Sequence, residues 1–271
     1  MSKSPLYSHL VKNLLYTFVI FLMFSLSYIS FGQSIVNTEK LFLDEKSGFR
    51  MSSELVGNFI AGNANIAVFE FIGNFAYKKN NHILHLISGG EYVGDGTSVA
   101  TNAGFAQMRY NYEFKDSSKV SLFYQIQQNK ILLLNRRMLI GTSYRMNIAS
   151  YTKKSNNLKF DLSLGVIQEE EILNENEISA SDRRYSNFTR GLASLFLISE
   201  FKNIRIINST FYQHYILSKF DFRLLNETNL LFKINDWLNL SVDFEIRYDN
   251  EPPSILTNFD LNTNIGFLFE L

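Results

Sequence analysis

The chain has 271 residues, with 26 Lys and Arg balanced by 26 Asp and Glu, no cysteine, and 15% aromatic residues. The charge balance excludes a polybasic surface for nucleic acid or anionic lipid. The lack of cysteine excludes a disulfide-stapled secreted domain and a lipid-anchored lipoprotein.

In chain order, Lys3, His9 and Lys12 precede an apolar run from Leu14 to Ile29, followed by the small residues Ser30 and Gly32. This pattern predicts a secretory signal over residues 1–32, cleaved near Gly32 or Gln33. Residues 33–48 carry no clear period and are expected to be a periplasmic lead-in. From residue 49 to 271 the expectation is one all-β domain, since no later stretch is long and apolar enough for a membrane helix. An exported chain that enters a membrane without helices must do so as a closed barrel.

The strand candidates open with Phe49 to Phe59, a turn at Ala61-Gly62-Asn63, Ala64 to Tyr77, and His82 to Tyr92. Alternation is clearest in the middle. Ala106, Met108, Tyr110, Tyr112 and Phe114 alternate with Gln107, Arg109, Asn111 and Glu113; Val120, Leu122, Tyr124 and Ile126 alternate with Ser121, Phe123, Gln125 and Gln127. Phe123 is the visible exception to a polar inner face. Strands six and seven place Arg137, Ser143, Arg145 and Asn147, then Lys159, Asp161, Ser163 and Gly165, opposite apolar rows. The signal blurs over Tyr185 to Leu197, Ile204 to Tyr215 and Phe220 to Phe232. There Arg190 shares a face with Phe188 and Leu192; facing lipid it would cost roughly 2–4 kcal/mol at the bilayer midplane and far less near the interface, unless a bulge or register shift turns it inward.

The last two strands are complete. Leu238 to Tyr248 alternates with Asn239 to Asp249, and after the turn Asn250 to Ser254 the pattern resumes through Phe259, Leu261, Thr263, Ile265, Phe267, Phe269 and Leu271. Each run has about the length a tilted strand needs to cross a bilayer, roughly 9–11 residues. An ordinary sheet also alternates, but charged residues opposite apolar rows suit the wet interior of a membrane barrel. The expected fold is therefore a transmembrane antiparallel barrel of about 12 strands. Short polar connections alternate with longer ones (Gly94 to Asn102, Asn129 to Arg136, Glu169 to Arg184), as short inner turns and long outer loops require. The apolar ending on Phe267, Phe269 and Leu271 is similar to the sorting signal that the barrel assembly machinery reads on bacterial outer-membrane strands.

Two constellations are candidates for chemistry. The inward charges Arg109, Glu113, Arg145, Lys159, Asp161, Arg223, Glu227, Asp243, Glu245, Arg247 and Asp260 form either a filter or a network of ion pairs filling the barrel. Filters usually show a ring of one sign, so mixed signs favour the network. Six acids from Glu169 to Asp182 would be a solvated outer loop or a cation site. Among the mature chain's histidines, His82, His85 and His214, only His85 with Ser88 and His214 with Ser209 approach a hydrolase pair, and no motif fixes a triad. No metal spacing and no cofactor motif is present.

At Ile246-Arg247-Tyr248-Asp249-Asn250-Glu251-Pro252-Pro253 and the strand after it, the chain resembles the salt-induced outer-membrane protein family, whose last hairpin carries an Arg-Tyr-Asp stretch before a double proline. Gly62-Asn63 is similar to that family's Gly-Asn-Thr turn, with Ala64 in place of Thr. The resemblance implies an outer-membrane barrel meeting lipids and lipopolysaccharide, and no catalytic residues. The expected function is a non-catalytic narrow pore or structural envelope protein. The alternatives are an outer-membrane lipase or deacylase and a secreted lipid-binding barrel or sandwich.

Overall fold

The computed structural model describes residues 36–41, 47–60, 66–94, 99–114, 118–153 and 156–271. The expected signal segment lies outside the described residues.

Among the described residues twelve strands form one sheet: β1 Gly48–Ile60, β2 Ile66–Lys79, β3 His82–Gly94, β4 Val99–Glu113, β5 Lys119–Asn129, β6 Leu134–Lys153, β7 Asn156–Leu173, β8 Tyr185–Phe201, β9 Ile204–Tyr215, β10 Phe222–Lys233, β11 Leu238–Asp249 and β12 Phe259–Glu270. Each pairs antiparallel with its sequence neighbours, and β1 pairs with β12 from Ser52↔Glu270 to Val56↔Gly266, so the barrel closes. Reciprocal bonds between Met51 and Leu271 (3.0 and 2.8 Å) seal the seam. Closure leaves no sheet edge, which hydrocarbon requires because it offers backbone groups no partners. Among the described residues no helix is long and apolar enough to cross a membrane.

The outer wall carries the apolar rows. Phe69, Leu122 and Ile265 are 53%, 51% and 61% exposed, values that water would penalise and lipid would not. Aromatic pairs gather toward the strand ends, as in Phe49 with Tyr77 and Trp237 with Phe269. On β9 and β10 the outward row also carries Asn208, Thr210, Asn226 and Thr228, which bond to one another across the pair (Asn208 to Thr228 2.8 Å, Asn226 to Thr210 2.7 Å). Mutual pairing lowers the cost of holding amides on this wall.

Several boundaries differ from the sequence reading. β7 runs to Leu173, so Glu169, Glu170 and Glu171 belong to a strand and not to an outer loop. β8 has the opposite phase to the expected one: Arg190, Leu192, Ser194 and Phe196 point inward and are buried, while Leu195 and Leu197 are exposed on the outer face. The physical reason is visible inside. Phe123, Leu139, Ile167, Leu192, Phe196, Phe211 and Leu225 form a buried apolar cluster that fills one side of the lumen. Inward Phe123 is therefore one member of a core. The segment Ile131 to Leu134 folds over the barrel end, where Leu132 and Leu134 pack with Leu173 and Ile178.

Gly141 makes room for this cluster. A Cβ there would lie 2.5 Å from Cζ of Phe123 and 2.7 Å from Cγ2 of Ile167. Gly141→Ala should lower stability by about 1–3 kcal/mol through overpacking, read as a lower urea midpoint of the heat-modifiable gel band. An unchanged midpoint would mean that the Phe123 ring is not inside.

The lumen as candidate functional site

Three layers fill the interior. The first lies toward the end with the long loops. There Arg137 on β6, Arg190 on β8 and Arg223 on β10 converge on Glu169 and Glu171 of β7, Asp249 of β11 and Asp221 just before β10. Arg137 Nε donates to Glu171 at 2.5 Å. Arg190 grips Asp221 with both Nη atoms (2.5 and 3.2 Å) and reaches Glu169 at 3.3 Å. Arg223 bridges Glu169 at 2.8 Å, Glu171 at 3.2 Å and Asp249 at 2.8 Å. Arg137 and Arg190 are 0% and 1% exposed. Charges removed from water this completely persist only when paired, and the planar guanidinium suits such multiple pairing.

The second layer is the apolar cluster, fastened to cations by ring contacts. The guanidinium of Arg145 lies 3.8 Å from the Phe196 centroid, and that of Arg109 lies 5.4 Å from the Phe123 centroid. Desolvated contacts of this kind are worth about 2 kcal/mol.

The third layer is not wall at all. Residues 36–41, read from sequence as a periplasmic lead-in, lie inside the barrel and end in a short 3-10 helix, Glu39–Leu41. Glu39 accepts from Arg145 at 2.7 Å and lies 3.7 Å from Arg109. Lys40 donates to Asp243 at 2.7 Å and pairs with Glu54. Leu41 enters a collar of Ile72, Ile87, Ile207, Leu231 and Leu268. This segment separates two cavities. One, of about 420 Å³, opens toward the short-turn end and includes Leu41, Asn74 and His85 in its lining. The other, of about 410 Å³, is lined by Lys40 and Arg247 against Glu70, Glu91, Glu227, Glu245 and Asp260.

The eleven inward charges expected from sequence are distributed among these layers. Arg223 belongs to the first. Arg145 joins Asp161 at 2.8 Å, with Lys159 at 3.3 Å from the same carboxylate. Glu227 accepts from Asn37 at 2.9 Å, and Arg247 pairs with its strand neighbour Glu245 at 2.8 Å. Glu113 pairs with Lys78 at 2.6 Å near the short-turn end, and Asp260 lines the second cavity. No ring of one sign forms among the described residues. Arg137, Glu169, Glu171, Arg190, Asp221, Asp249, Glu39, Lys40 and Glu54, with Glu70 and Glu91 of the second cavity, also face the lumen and were missed as site residues. Continuing the β7 phase from Asp161 through Ser163 and Gly165 would have found both glutamates.

The candidate hydrolase pairs are divided by the wall. His85 is buried inside and bonded to Asn74 at 3.2 Å, whereas Ser88 faces out; Ser209 is buried inside, whereas His214 stacks outside on Tyr212. The six loop acids also disperse. Glu169 and Glu171 turn inward, Glu170 pairs with Arg136 at 2.8 Å, Glu175 pairs with Arg184, and Asp182 accepts from Ser254 Oγ at 3.0 Å. Among the described residues no group of three or more His, Cys, Asp or Glu is placed to hold a metal ion.

Removing one partner of a buried network strands the others. Arg190→Ala should therefore cost about 3–5 kcal/mol, whereas Arg136→Ala, whose pair with Glu170 is 44% and 29% exposed, should cost less than about 1 kcal/mol. Urea unfolding of both variants in one detergent checks the contrast. Equal small losses would mean that Arg190 faces lipid or water.

Residues 53–271 match the family described as "Protein of unknown function, DUF481". No curated protein matches the sequence. Among solved structures, the KdgM porin in complex with disordered oligogalacturonate is 11% identical, with a TM-score of 0.46 over 82% of this chain and 99% of that one. The translocator domain of the autotransporter NalP from Neisseria meningitidis is 11% identical, with a TM-score of 0.39 over 86% and 91%. The transport unit of AIDA-I from Escherichia coli is 9% identical, with a TM-score of 0.42 over 84% and 92%. The family match spans most of the chain, from β1 to its last residue, and the protein belongs to the DUF481 family.

Proposed function

We propose that this protein is a non-catalytic barrel of the bacterial outer membrane, of the salt-induced type that its last hairpin resembles, with a lumen closed at rest. The observation that carries this reading is the filled interior: an ion network, an apolar cluster and residues 36–41 lie across the path that a solute would take. Twelve strands enclose more than the side chains of an eight-stranded barrel fill, and less than the 16 to 18 strands of water-filled porins. The three layers occupy that difference.

The outer-membrane assignment rests on the closed apolar wall and on β12, whose outward Phe267 and Phe269 offer the assembly machinery an apolar last strand; the lipids and lipopolysaccharide of that membrane would then surround the wall. The non-catalytic assignment rests on the wall-divided histidine and serine pairs.

In planar bilayers the purified protein should show no large, steady conductance. Arg109→Ala, Arg145→Ala and Arg247→Ala each remove lumenal bulk and charge and should raise the frequency of conducting events. Steady, unselective current through the unaltered protein would overturn the closed-lumen reading.

A further inference from the structure

Residues 36–41 are held inside the barrel in a manner unlike any strand. The wall is complete without them, because all twelve strands pair with one another around the full circle. Their attachments are side-chain ion pairs and single hydrogen bonds. Asn37 donates to Glu227, Glu39 meets Arg145, Lys40 meets Asp243 and Glu54, and the Leu41 carbonyl accepts from Ser52 at 3.1 Å and Asn74 at 3.2 Å. These contacts reach β1, β2, β6, β10 and β11, so six residues bridge the lumen from wall to wall.

The seats they occupy have opposite signs. A cation seat of Glu54 and Asp243 receives Lys40, and an anion seat of Arg145 and Arg109 receives the adjacent Glu39. The wall groups also have second partners. Arg145 keeps Asp161, Asp243 keeps Asn229 at 2.7 Å, and Glu54 accepts from Ser241 at 2.6 Å. A buried charge stripped of its only partner is strongly penalised, whereas one that keeps a hydrogen-bonded neighbour is penalised less. The wall is thus built to survive the departure of the segment, and the cavities on its two sides would then join.

We infer that residues 36–41 are a displaceable plug: a tethered ligand of the lumen, seated by an acidic and a basic side chain in sequence and by a leucine in an apolar collar, whose withdrawal opens the barrel. This rests on the closed-lumen reading and adds the moving part to it. The collar of Ile72, Ile87, Ile207, Leu231 and Leu268 then forms the constriction, a hydrophobic ring of the kind that gates by wetting.

The chain has no cysteine, so a single Thr38→Cys substitution reports on the seat. Thr38 is 1% exposed. In the folded, full-length protein a membrane-impermeant maleimide should label the introduced thiol slowly. Adding Glu39→Gln and Lys40→Gln should accelerate labelling by at least about tenfold, since two buried ion pairs are lost. The same double variant, and a variant lacking residues 36–41, should conduct in planar bilayers while keeping the heat-modifiable gel band of a folded barrel. Rapid labelling of the thiol at position 38 in the otherwise unaltered chain would overturn the inference, because the segment would not be seated. Silence of the variant lacking residues 36–41 would overturn it too, with the closed-lumen reading still standing. Steady current through the unaltered protein would instead bring down both.

Discussion

The constraint on which the structure depends is that charges inside a barrel of this width have little water to solvate them and must be paired by the chain itself. A buried carboxylate or guanidinium costs several kcal/mol when isolated and persists only within a network. Arg223 illustrates the solution: one guanidinium on β10 serves Asp249 on the neighbouring β11 and also Glu169 and Glu171 from β7, a strand that is not its neighbour in the wall. Backbone pairing joins adjacent strands only. Lumenal side chains also connect strands that lie three apart in the circle.

That requirement explains the interior's division into an ionic end, an apolar middle and an inserted segment. Phe123, Phe196 and Phe211 occupy volume that polar side chains alone would leave open, and Phe196 and Phe211 meet edge to face at 5.5 Å. Arg145 and Arg109 cover these rings from the other side, so the apolar and ionic parts share a boundary instead of competing. Glu39 and Lys40 extend the same pairing to a segment that belongs to no strand. The result is a closed wall built around a core, with two separate cavities where the filling is incomplete.

The wall was legible in the sequence because most strands set an apolar outer row against a polar inner one. The final hairpin and β4 through β7 followed from this rule, and the expected strands lie in the same order as the observed ones. The rule fails where its two assumptions fail. On β8 to β10 the lumen accepts Leu192, Phe196, Phe211 and Leu225, while the outer row tolerates Asn208 and Asn226 because they bond to neighbours. Polar and apolar then stop marking inside and outside, and alternation alone puts Arg190 on the wrong face. The segment 36–41 was illegible for a different reason. Its contacts reach partners as much as 203 residues away, as between Lys40 and Asp243, and no local period encodes them. The partners of Glu169 and Glu171 lie 21 to 54 residues away, and the inward direction of both glutamates was present in the phase of β7.

The face that β8 turns inward decides between a filled barrel and an open one, and it can be measured position by position. Single cysteines placed from residue 190 to 197, each carrying a nitroxide, would be tested against a lipid-soluble and a water-soluble relaxation agent in reconstituted bilayers. A filled lumen predicts that positions 191, 193, 195 and 197 respond to the lipid-soluble agent, while 190, 192, 194 and 196 respond to neither. Contact of positions 192 and 196 with the lipid-soluble agent, or of 190 and 194 with the water-soluble one, would contradict it.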